Sequence, residues 1–290
     1  ASDTCAAIIT FRPEVCMLRR VIASVCGQVG QILIFDNATT DPTLDAYLSE
    51  IETEAVTVIR SPTNIGLAAA MNRASEHART KGFTHLLLLD QDSEPEPGMV
   101  STLRQALNEL SAVHQVAAVG PQFHDRRTGH VAPFVRIGFP VSKKLTGAPG
   151  ERVPCDFLIS SGTLLPLASL AIVGPMDEGL FIDNVDLEWC FRARHLGLAL
   201  YGVCDAGMQH SIGDAVRPSR LVQGGIKIHS PTRLYYITRN RVLLYSRKET
   251  PAVWIAQDIP RLGLKFVSTL VLLKPRLDYL RSMSKGLFDA

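Results

Sequence analysis

A chain of 290 residues is long enough for one large α/β domain, or for one domain with a smaller annex. Hydrophobic residues make up 46% of the chain and charged residues 20%, which is typical of a globular protein and excludes a disordered one. The 30 Lys and Arg residues nearly balance the 28 Asp and Glu residues, so the net charge of +2 gives no electrostatic case for nucleic-acid binding.

The six cysteines form no CxxC pair, which argues against a zinc site. They lie mostly in apolar stretches, as buried free thiols do, and this indicates a reducing compartment. No signal peptide is visible at the start of the chain. No apolar run reaches the roughly 18–20 residues that a membrane-spanning helix needs. We therefore expect a cytoplasmic protein.

The first half of the chain alternates short apolar runs with helical patterns. We predict strands at residues 6–11, 31–35, 56–59, 83–89 and 116–119. We predict helices at residues 15–25, 43–51, 65–80 and 99–110. This alternation is typical of a parallel sheet with helices on both faces, and ligands of such sheets bind beyond the carboxyl ends of the strands. The polar residues expected at that edge are Thr10, Asp36, Asn64, Asp90 and Asp92.

The second half is less regular. Residues 124–151 are rich in Gly, Pro and basic side chains, which predicts loops or short hairpin strands, and residues 186–195 have a helical pattern. Residues 231–290 hold 11 basic and 4 acidic side chains and an amphipathic helical pattern that we expect to kink or restart at Pro260. Such a region either packs on the domain with a solvated basic face, lies on an anionic membrane surface, or binds a protein partner.

The stretch LLLLDQDS, residues 86–93, is the most informative motif in the chain. An apolar strand ends in Asp90 and Asp92, whose i, i+2 spacing places both carboxylates on the same side of an extended chain. Two acids at the end of a strand suit a hard divalent cation, which could neutralise a departing diphosphate. A capped loop after a strand would have the same composition, so the motif alone leaves both interpretations open.

Two further motifs follow strands of the first half. Gly66 and the alanines after Asn64 permit close backbone approach at the start of a helix, although a tightly packed helix would look the same. Asp36 follows the second strand and could accept a hydrogen bond from a nucleotide base, or form an Asx turn.

Five acids lie among apolar residues between positions 177 and 188. Asp186 falls where a helix begins, so it either stabilises the helix N-terminus or acts as a base whose pKa is raised by its apolar surroundings. A lone histidine, His210, follows later, and a lone histidine is more often structural than a ligand.

Taken in order, these motifs resemble those of inverting family 2 glycosyltransferases of GT-A fold. The matching positions are 8–13, 35–37, 64–66, 89–92, 162, 181–192 and 210. Residues 89–93, 181–186 and 229–240 are similar to bacterial rhamnosyltransferases, which build lipopolysaccharide O-antigen or related glycans. The resemblance implies an α/β fold class with a GT-A-type nucleotide-binding sheet flanked by helices at residues 1–230, and a basic amphipathic helical annex at residues 231–290.

The resemblance also implies a role for each matching residue. Donor-binding positions are Thr10, Asp36, Asn64, Gly66 and Asp90, with Asp36 facing the pyrimidine. Metal positions, for Mg²⁺ or Mn²⁺, are Asp92 and His210. Acceptor-binding positions are Phe181 and Asp183. The base is Asp186, with Asp183 as its rival, because many relatives have an acidic pair where this chain has Val185 and Asp186.

The function implied is metal-dependent, inverting transfer of L-rhamnose from dTDP-β-L-rhamnose to a hydroxyl group of an O-antigen-type precursor. The acceptor would be lipid-linked, and the enzyme would work at the cytoplasmic face of the inner membrane through peripheral contact by its C-terminal region. Alternatives are another donor, such as a UDP-hexose or UDP-galactofuranose, a sugar nucleotidyltransferase, or a non-catalytic module that binds sugar nucleotides or glycans. Residues 10–20 lack the Gly-rich basic loop that a nucleotidyltransferase usually carries.

Overall fold

A computed structural model describes residues 2–125, 129, 131–210, 215–217, 226–273 and 275–290. The strands are β1 (Thr4–Thr10), β2 (Gln31–Asn37), β3 (Val56–Ser61), β4 (His85–Asp90), β5 (Glu94–Pro95), β6 (Val116–Asp125), β7 (Phe134–Arg136), β8 (Lys143–Leu145), β9 (Arg152–Cys155), β10 (Leu164–Pro166), β11 (Ala199–His210), β12 (Ala215–Arg217) and β13 (Ile226–Ile228). The α-helices are α1 (Val15–Val25), α2 (Pro42–Ile51), α3 (Leu67–Thr80), α4 (Met99–Ser111), α5 (Leu167–Val173), α6 (Val185–His195), α7 (Pro231–Tyr245), α8 (Ala252–Leu272) and α9 (Arg276–Phe288).

Nine strands of the described chain form one mixed sheet, in the order β3-β2-β1-β4-β10-β6-β11-β5, with β9 also paired to β11. The four strands β3, β2, β1 and β4 are parallel, as the alternation of strands and helices predicts. Strand β10 lies between β4 and β6 and is antiparallel to both, so β6 runs in the same direction as the other four. The five strands predicted in the first half are therefore parallel as expected, and the later strand β10 makes the sheet mixed. The chain reverses direction between β6 and β9, because β9 is antiparallel to β11 and β11 is parallel to β6.

The main sheet is buried on both faces, which explains why its central strands are apolar without alternation. In β4, Leu86 and Leu88 face one hydrophobic core, while Leu87 and Leu89 face the other. The first core also contains residues of α3 and α6, and the second contains residues of α1, α2 and α4. The prediction of an α/β sheet flanked by helices is confirmed.

Most predicted elements of the first half are present within a few residues of their expected bounds. Helix α1 spans 15–25, as predicted, whereas β6 runs on to Asp125 because it pairs along its length with β11. Between residues 124 and 151 the structure has the short hairpin of β7 and β8, one of the two forms expected there.

The C-terminal region is helical. Ser230 caps α7 by accepting the Arg233 N–H, and Pro231 occupies the first helical turn. Helix α8 continues through Pro260, so the helix does not restart there, and a kink at Pro260 stays a prediction. Pro260 lies on the exposed side, and the buried Asp258 and Leu262 hold the helix on either side of it. The division at residue 230 stays a prediction. Across the described ranges, the structure contains no helix of the length and apolar character needed to cross a membrane.

Helix α3 begins two residues later than predicted, because Gly66 has a φ of +85° that a helix cannot contain. The peptide N–H groups of Leu67 and Ala68 then donate to the carbonyl oxygen of Phe181, at 2.6 and 3.3 Å. A Cβ atom at position 66 would lie 2.5 Å from Cδ2 and 2.8 Å from the carbonyl oxygen of Phe181. Only glycine therefore permits this contact between α3 and the segment before α6.

We expect the substitution Gly66→Ala to lower the free energy of unfolding by about 2–4 kcal/mol, because a strained φ and an overlap with backbone atoms add together. Gly27→Ala is the matched control: Gly27 has a similar φ of +77°, but nothing lies within 4 Å of its added Cβ. The measurement is chemical denaturation of both variants. Equal losses of stability at the two positions would contradict the close contact at Gly66.

Candidate active site

The carboxyl ends of β1, β2 and β4 lie side by side at one edge of the sheet. Thr10 pairs in register with Asp36, and Ile9 pairs in register with Asp90. The structure therefore places three of the polar residues singled out in the sequence on one edge, where ligands of α/β sheets bind.

Thr10 and Asp36 form a buried polar pair. The Thr10 hydroxyl donates to Asp36 Oδ1 at 3.3 Å and to the Phe35 carbonyl oxygen at 3.4 Å. The second carboxylate oxygen of Asp36 accepts the Thr39 N–H at 3.2 Å. Asp36 is 5% exposed, so its orientation is set by these contacts and its remaining lone pairs face the sheet edge.

Asn37 holds the segment 64–66 against this pair. Its Nδ2 donates to Asn64 Oδ1 at 2.9 Å, and its Oδ1 accepts the Ile65 N–H at 2.8 Å. Asn64 Oδ1 also accepts the Gly66 N–H at 2.9 Å, forming the turn that precedes α3. The end of β2 and the segment 64–66 are thereby joined through the buried amide side chain of Asn37.

A tight turn follows β4 and carries the two acids of the DQDS motif. The Asp90 N–H donates to the Ser161 hydroxyl at 3.1 Å, and that hydroxyl donates to Ser93 at 2.6 Å. Gln91 Oε1 accepts the Phe11 N–H at 2.8 Å, which ties the turn to the end of β1. Asp90 and Asp92 are half-buried, so their carboxylates can reach a ligand at this edge.

The donor set at this turn fits a hard divalent cation. Mg²⁺ is commonly held by one or two carboxylates together with substrate phosphates, and Asp92 offers such a carboxylate. Pairing of Glu94 with Gln209 brings the end of β11 beside this turn. The side chain of His210 lies outside the described residues, although its backbone ends β11. Among the side chains that the structure describes, no group of three or more His, Cys, Asp or Glu residues could hold a metal ion.

Asp186 lies at the first turn of α6. Its Oδ2 accepts the Ser160 N–H at 3.1 Å, and its Oδ1 accepts the Leu187 N–H at 2.8 Å. The pKa of Asp186 is raised to about 6, mainly by burial and also by the negative charges of Asp90 and Asp183, while the two hydrogen bonds lower it. A small cavity of about 20 Å³, lined mainly by apolar side chains such as Leu88, Met176 and Trp189, adjoins this carboxyl group.

This electrostatic coupling brings two distant motifs together. Asp90 ends β4 and Asp186 begins α6, yet their carboxylates lie near enough for one charge to affect the other. A carboxyl group with a pKa of about 6 is ionised at neutral pH and is basic enough to accept a proton from a hydroxyl group during bond formation. Asp186 is thus a candidate general base near the sheet edge formed by the carboxyl ends of β1, β2 and β4.

The segment 177–184, here called the acidic loop, precedes Asp186 and contacts both α3 and α7. Phe181 stacks on Tyr236 of α7, with ring centroids 4.9 Å apart. Asp183 forms an ion pair with Arg233 of α7, at 3.0 Å between Oδ2 and Nε. The two residues expected to bind the acceptor therefore lie in one loop next to Asp186, and one of them is neutralised by a cation.

Several residues that build the site escaped the sequence analysis. They are Asn37, Gln91, Ser160, Ser161, Arg233, Arg239 and Asn240. Ser160 and Ser161 act through contacts with residues distant in sequence, which no local pattern signals. Asn37 and Gln91 lie in the matching stretches 35–37 and 89–92, where the resemblance indicated no role for them. The last three lie in the stretch 229–240, which carried part of the family resemblance without indicating a role for any side chain.

Comparison with known proteins shows the family to which the chain belongs. The sequence profile described as Glycosyl transferase family 2 matches residues 6–158, just over half of the chain. The chain is 32% identical over 260 residues to dTDP-rhamnosyl transferase RfbF of Shigella flexneri, which covers 89% of this chain and 85% of the relative. It is 25% identical over 232 residues to galactofuranosyltransferase GlfT1 of Mycobacterium tuberculosis, covering 74% of this chain and 72% of the relative.

Solved structures show the same fold at lower identity. A structure of Staphylococcus aureus TarS residues 1–349 in complex with UDP-GlcNAc has a TM-score of 0.60 and 15% identity, covering 99% of this chain and 80% of that one. GalNAc-T7 with UDP, GalNAc and Mn²⁺ has a TM-score of 0.61 and 16% identity, and this chain spans 57% of its length. The family match decides for a transferase over a nucleotidyltransferase or a non-catalytic module. The chain is a glycosyltransferase of family 2, with a sheet of GT-A type.

Proposed function

We propose that the protein transfers L-rhamnose from dTDP-β-L-rhamnose, with inversion, to a hydroxyl group of a lipid-linked O-antigen-type glycan precursor. The observation that carries the proposal is the buried carboxyl group of Asp186 beside Asp90, at the edge where Thr10 and Asp36 also lie. Similarity to RfbF over most of both chains supports the donor.

Asp186 has the properties that a general base requires. Its carboxylate is held by two peptide N–H groups, and its raised pKa lets it accept the acceptor's hydroxyl proton. The acceptor oxygen bonds to the anomeric carbon, the bond from that carbon to the dTDP oxygen breaks on the opposite face, and the proton goes to Asp186. Asp183 is the weaker candidate, because the guanidinium group of Arg233 occupies its carboxylate.

The donor would lie along the edge formed by β1, β2 and β4. Asp36, fixed by Thr10 and Thr39, would accept a hydrogen bond from the thymine base, and the segment 64–66 would close over the nucleotide. Asp90 would lie toward the ribose and sugar. Mg²⁺ or Mn²⁺ held by Asp92, with His210, would neutralise the charge of the leaving diphosphate.

A second donor remains a candidate on one specific observation. The chain matches GlfT1, a galactofuranosyltransferase, over about three quarters of both proteins, at 25% identity. Asp36 and Asp90 could bind either dTDP-rhamnose or UDP-galactofuranose, so the rates with the two donors must be compared.

We expect acceptor-dependent release of dTDP from dTDP-β-L-rhamnose to be at least about tenfold faster than release of UDP from UDP-galactofuranose or UDP-glucose. The measurement is nucleotide release with a bacterial lipid extract as acceptor. Chelation of divalent cations is expected to weaken binding of dTDP by calorimetry and to stop release, with Mg²⁺ restoring both. Preference for UDP-galactofuranose would contradict the rhamnose proposal and favour its rival.

We expect Asp186→Asn to lower kcat by about 10²–10⁴-fold while binding of dTDP stays close to that of the wild type, because the amide cannot accept the proton. In the wild type, protonation of Asp186 should abolish activity as the pH falls through about 6. Asp183→Asn is the matched control, and its smaller loss should fall mainly on the acceptor KM. A larger loss of kcat for Asp183→Asn than for Asp186→Asn would reverse the assignment.

A peripheral membrane contact fits the outer face of the C-terminal helices. Four apolar side chains of α8 are exposed: Ile259, Leu264, Val267 and Val271. Exposed basic residues flank them on α8 and α9, namely Arg261, Arg276, Arg281 and Lys285. Apolar side chains that enter the lipid boundary beside cations that attract anionic headgroups are typical of surface-bound helices. A lipid-linked acceptor at the cytoplasmic face would meet the enzyme there.

We expect the double substitution Leu264→Asp/Val267→Asp to weaken binding to vesicles of phosphatidylethanolamine and phosphatidylglycerol by at least about tenfold, because burial of two apolar side chains is lost. The pair Val113→Asp/Ile172→Asp is the matched control, since both residues are exposed and apolar but lie away from α8 and α9. Flotation with the vesicles measures the binding. Undiminished flotation of the α8 variant would exclude this face.

A further inference from the structure

The acidic loop has an unusual backbone. Phe181, Asp183 and Asn184 have φ values of 63°, 63° and 64°, in the left-handed region that L-residues rarely adopt. Each such residue costs of order 1–2 kcal/mol, and strain of this kind persists only where the surroundings impose it. Because the strained residues immediately precede Asp186, whatever imposes their shape also sets the position of the proposed base.

Asn240 of α7 is the side chain that holds the loop. It is fully buried, and its Nδ2 lies 2.8 Å from each of the carbonyl oxygens of Leu180, Ile182 and Asp183. Its Oδ1 accepts hydrogen bonds from Arg239, which also donates to the Gly179 carbonyl oxygen at 2.6 Å. One amide group thus satisfies the peptide oxygens that the strained backbone turns inward.

Arg233 lies near the start of α7, before Asn240, and pairs with a charged residue of the loop. Its Nε and Nη2 atoms contact the Asp183 carboxylate at 3.0–3.2 Å, and the Asp183 side chain is 14% exposed. A carboxylate with so little water around it depends on its cation for compensation. Lys265 of α8 adds a second positive charge near Asp183.

The groups that face Asp186 come from four parts of the chain. They are the Asp90 carboxylate at the end of β4, the Ser160 N–H, the Asp183 carboxylate of the acidic loop, and the Leu187 N–H and Cys190 thiol of α6. Of the two anions, Asp183 forms an ion pair with Arg233 of α7. Removing Arg233 would leave Lys265 as the remaining cation near Asp183, so the negative charge of Asp183 would act more strongly on Asp186.

We propose that Arg233 and Asn240 are positioning residues for catalysis: Asn240 holds the strained turn before α6 in shape, and Arg233 neutralises Asp183 so that Asp186 alone serves as the base. The inference rests on the proposed function only through the role of Asp186. The inference does not depend on which nucleotide sugar is the donor, because Arg233 and Asn240 lie in α7 and not at the sheet edge formed by β1, β2 and β4.

The test uses the full-length enzyme and whichever nucleotide sugar it turns over. We expect Arg233→Gln to lower kcat by about 10–100-fold, with a donor KM within about threefold of wild type, and to move the acidic midpoint of the kcat profile upward by about 0.5–1 pH unit. Arg233→Lys, which keeps the charge, is expected to recover most of both effects. Adding Asp183→Asn to Arg233→Gln should bring the midpoint back down, since the uncompensated anion is gone.

Arg241→Gln is the matched control: it removes a cation from the same helix, but Arg241 pairs with Asp258 of α8 rather than with the acidic loop. An unchanged midpoint and kcat in Arg233→Gln, or the same shift in Arg241→Gln, would overturn the role of Arg233. Asn240→Ala, if folded by circular dichroism, should lose kcat without a shift of the midpoint; wild-type kcat would overturn the role of Asn240. Failure of the rhamnose donor alone would leave both results interpretable.

Discussion

The carbonyl oxygen of Phe181 accepts the first two peptide N–H groups of α3, and the geometry of the whole site depends on that contact. On one side of it lie the strands and turns that end in Thr10, Asp36 and Asp90. On the other side lies the acidic loop, which leads into Asp186. The helix N-terminus supplies unpaired donors and positive potential, so the loop carbonyl gains a partner that a solvated loop would lack. Gly66 makes the approach possible because it has no side chain to block it.

The candidate site contains several features that lower the stability of the fold. A carboxyl group is buried beside a small, mostly apolar cavity, two other carboxylates lie near it, and three residues of the acidic loop have positive φ angles. Elsewhere the chain obeys the simpler rules of an apolar sheet with helices on both faces. Such local exceptions in an otherwise consistent fold are what functional sites look like, and here the compensation comes from α7, through hydrogen bonds and one ion pair.

The elements of the first half could be predicted because their signal is periodic and local. The spacing of Val15, Leu18, Ile22 and Val25 predicts helix α1, and unbroken apolar runs predict the strands. Strand β10 could not be oriented, because its direction depends on where a long excursion re-enters the sheet. The polar residues after the strands were identifiable from the edge rule. Arg233 and Asn240 were not, since each contacts residues that are fifty or more positions away in the sequence.

Residues 6–158 match the family profile, whereas the proposed base Asp186, the acidic loop and α7 all lie beyond that boundary. A hybrid made by swapping the first halves of two relatives, in order to exchange donor specificity, would therefore pair α3 of one protein with the loop of the other. The contact at the Phe181 carbonyl oxygen would then join parts from two different chains. Hybrid enzymes should keep Gly66 and Asn64 together with the loop they abut, and should transplant α7 as one unit with residues 177–186. Swaps that cut between these parts would misplace Asp186, the proposed base, relative to the edge of β1, β2 and β4 where the donor is proposed to bind.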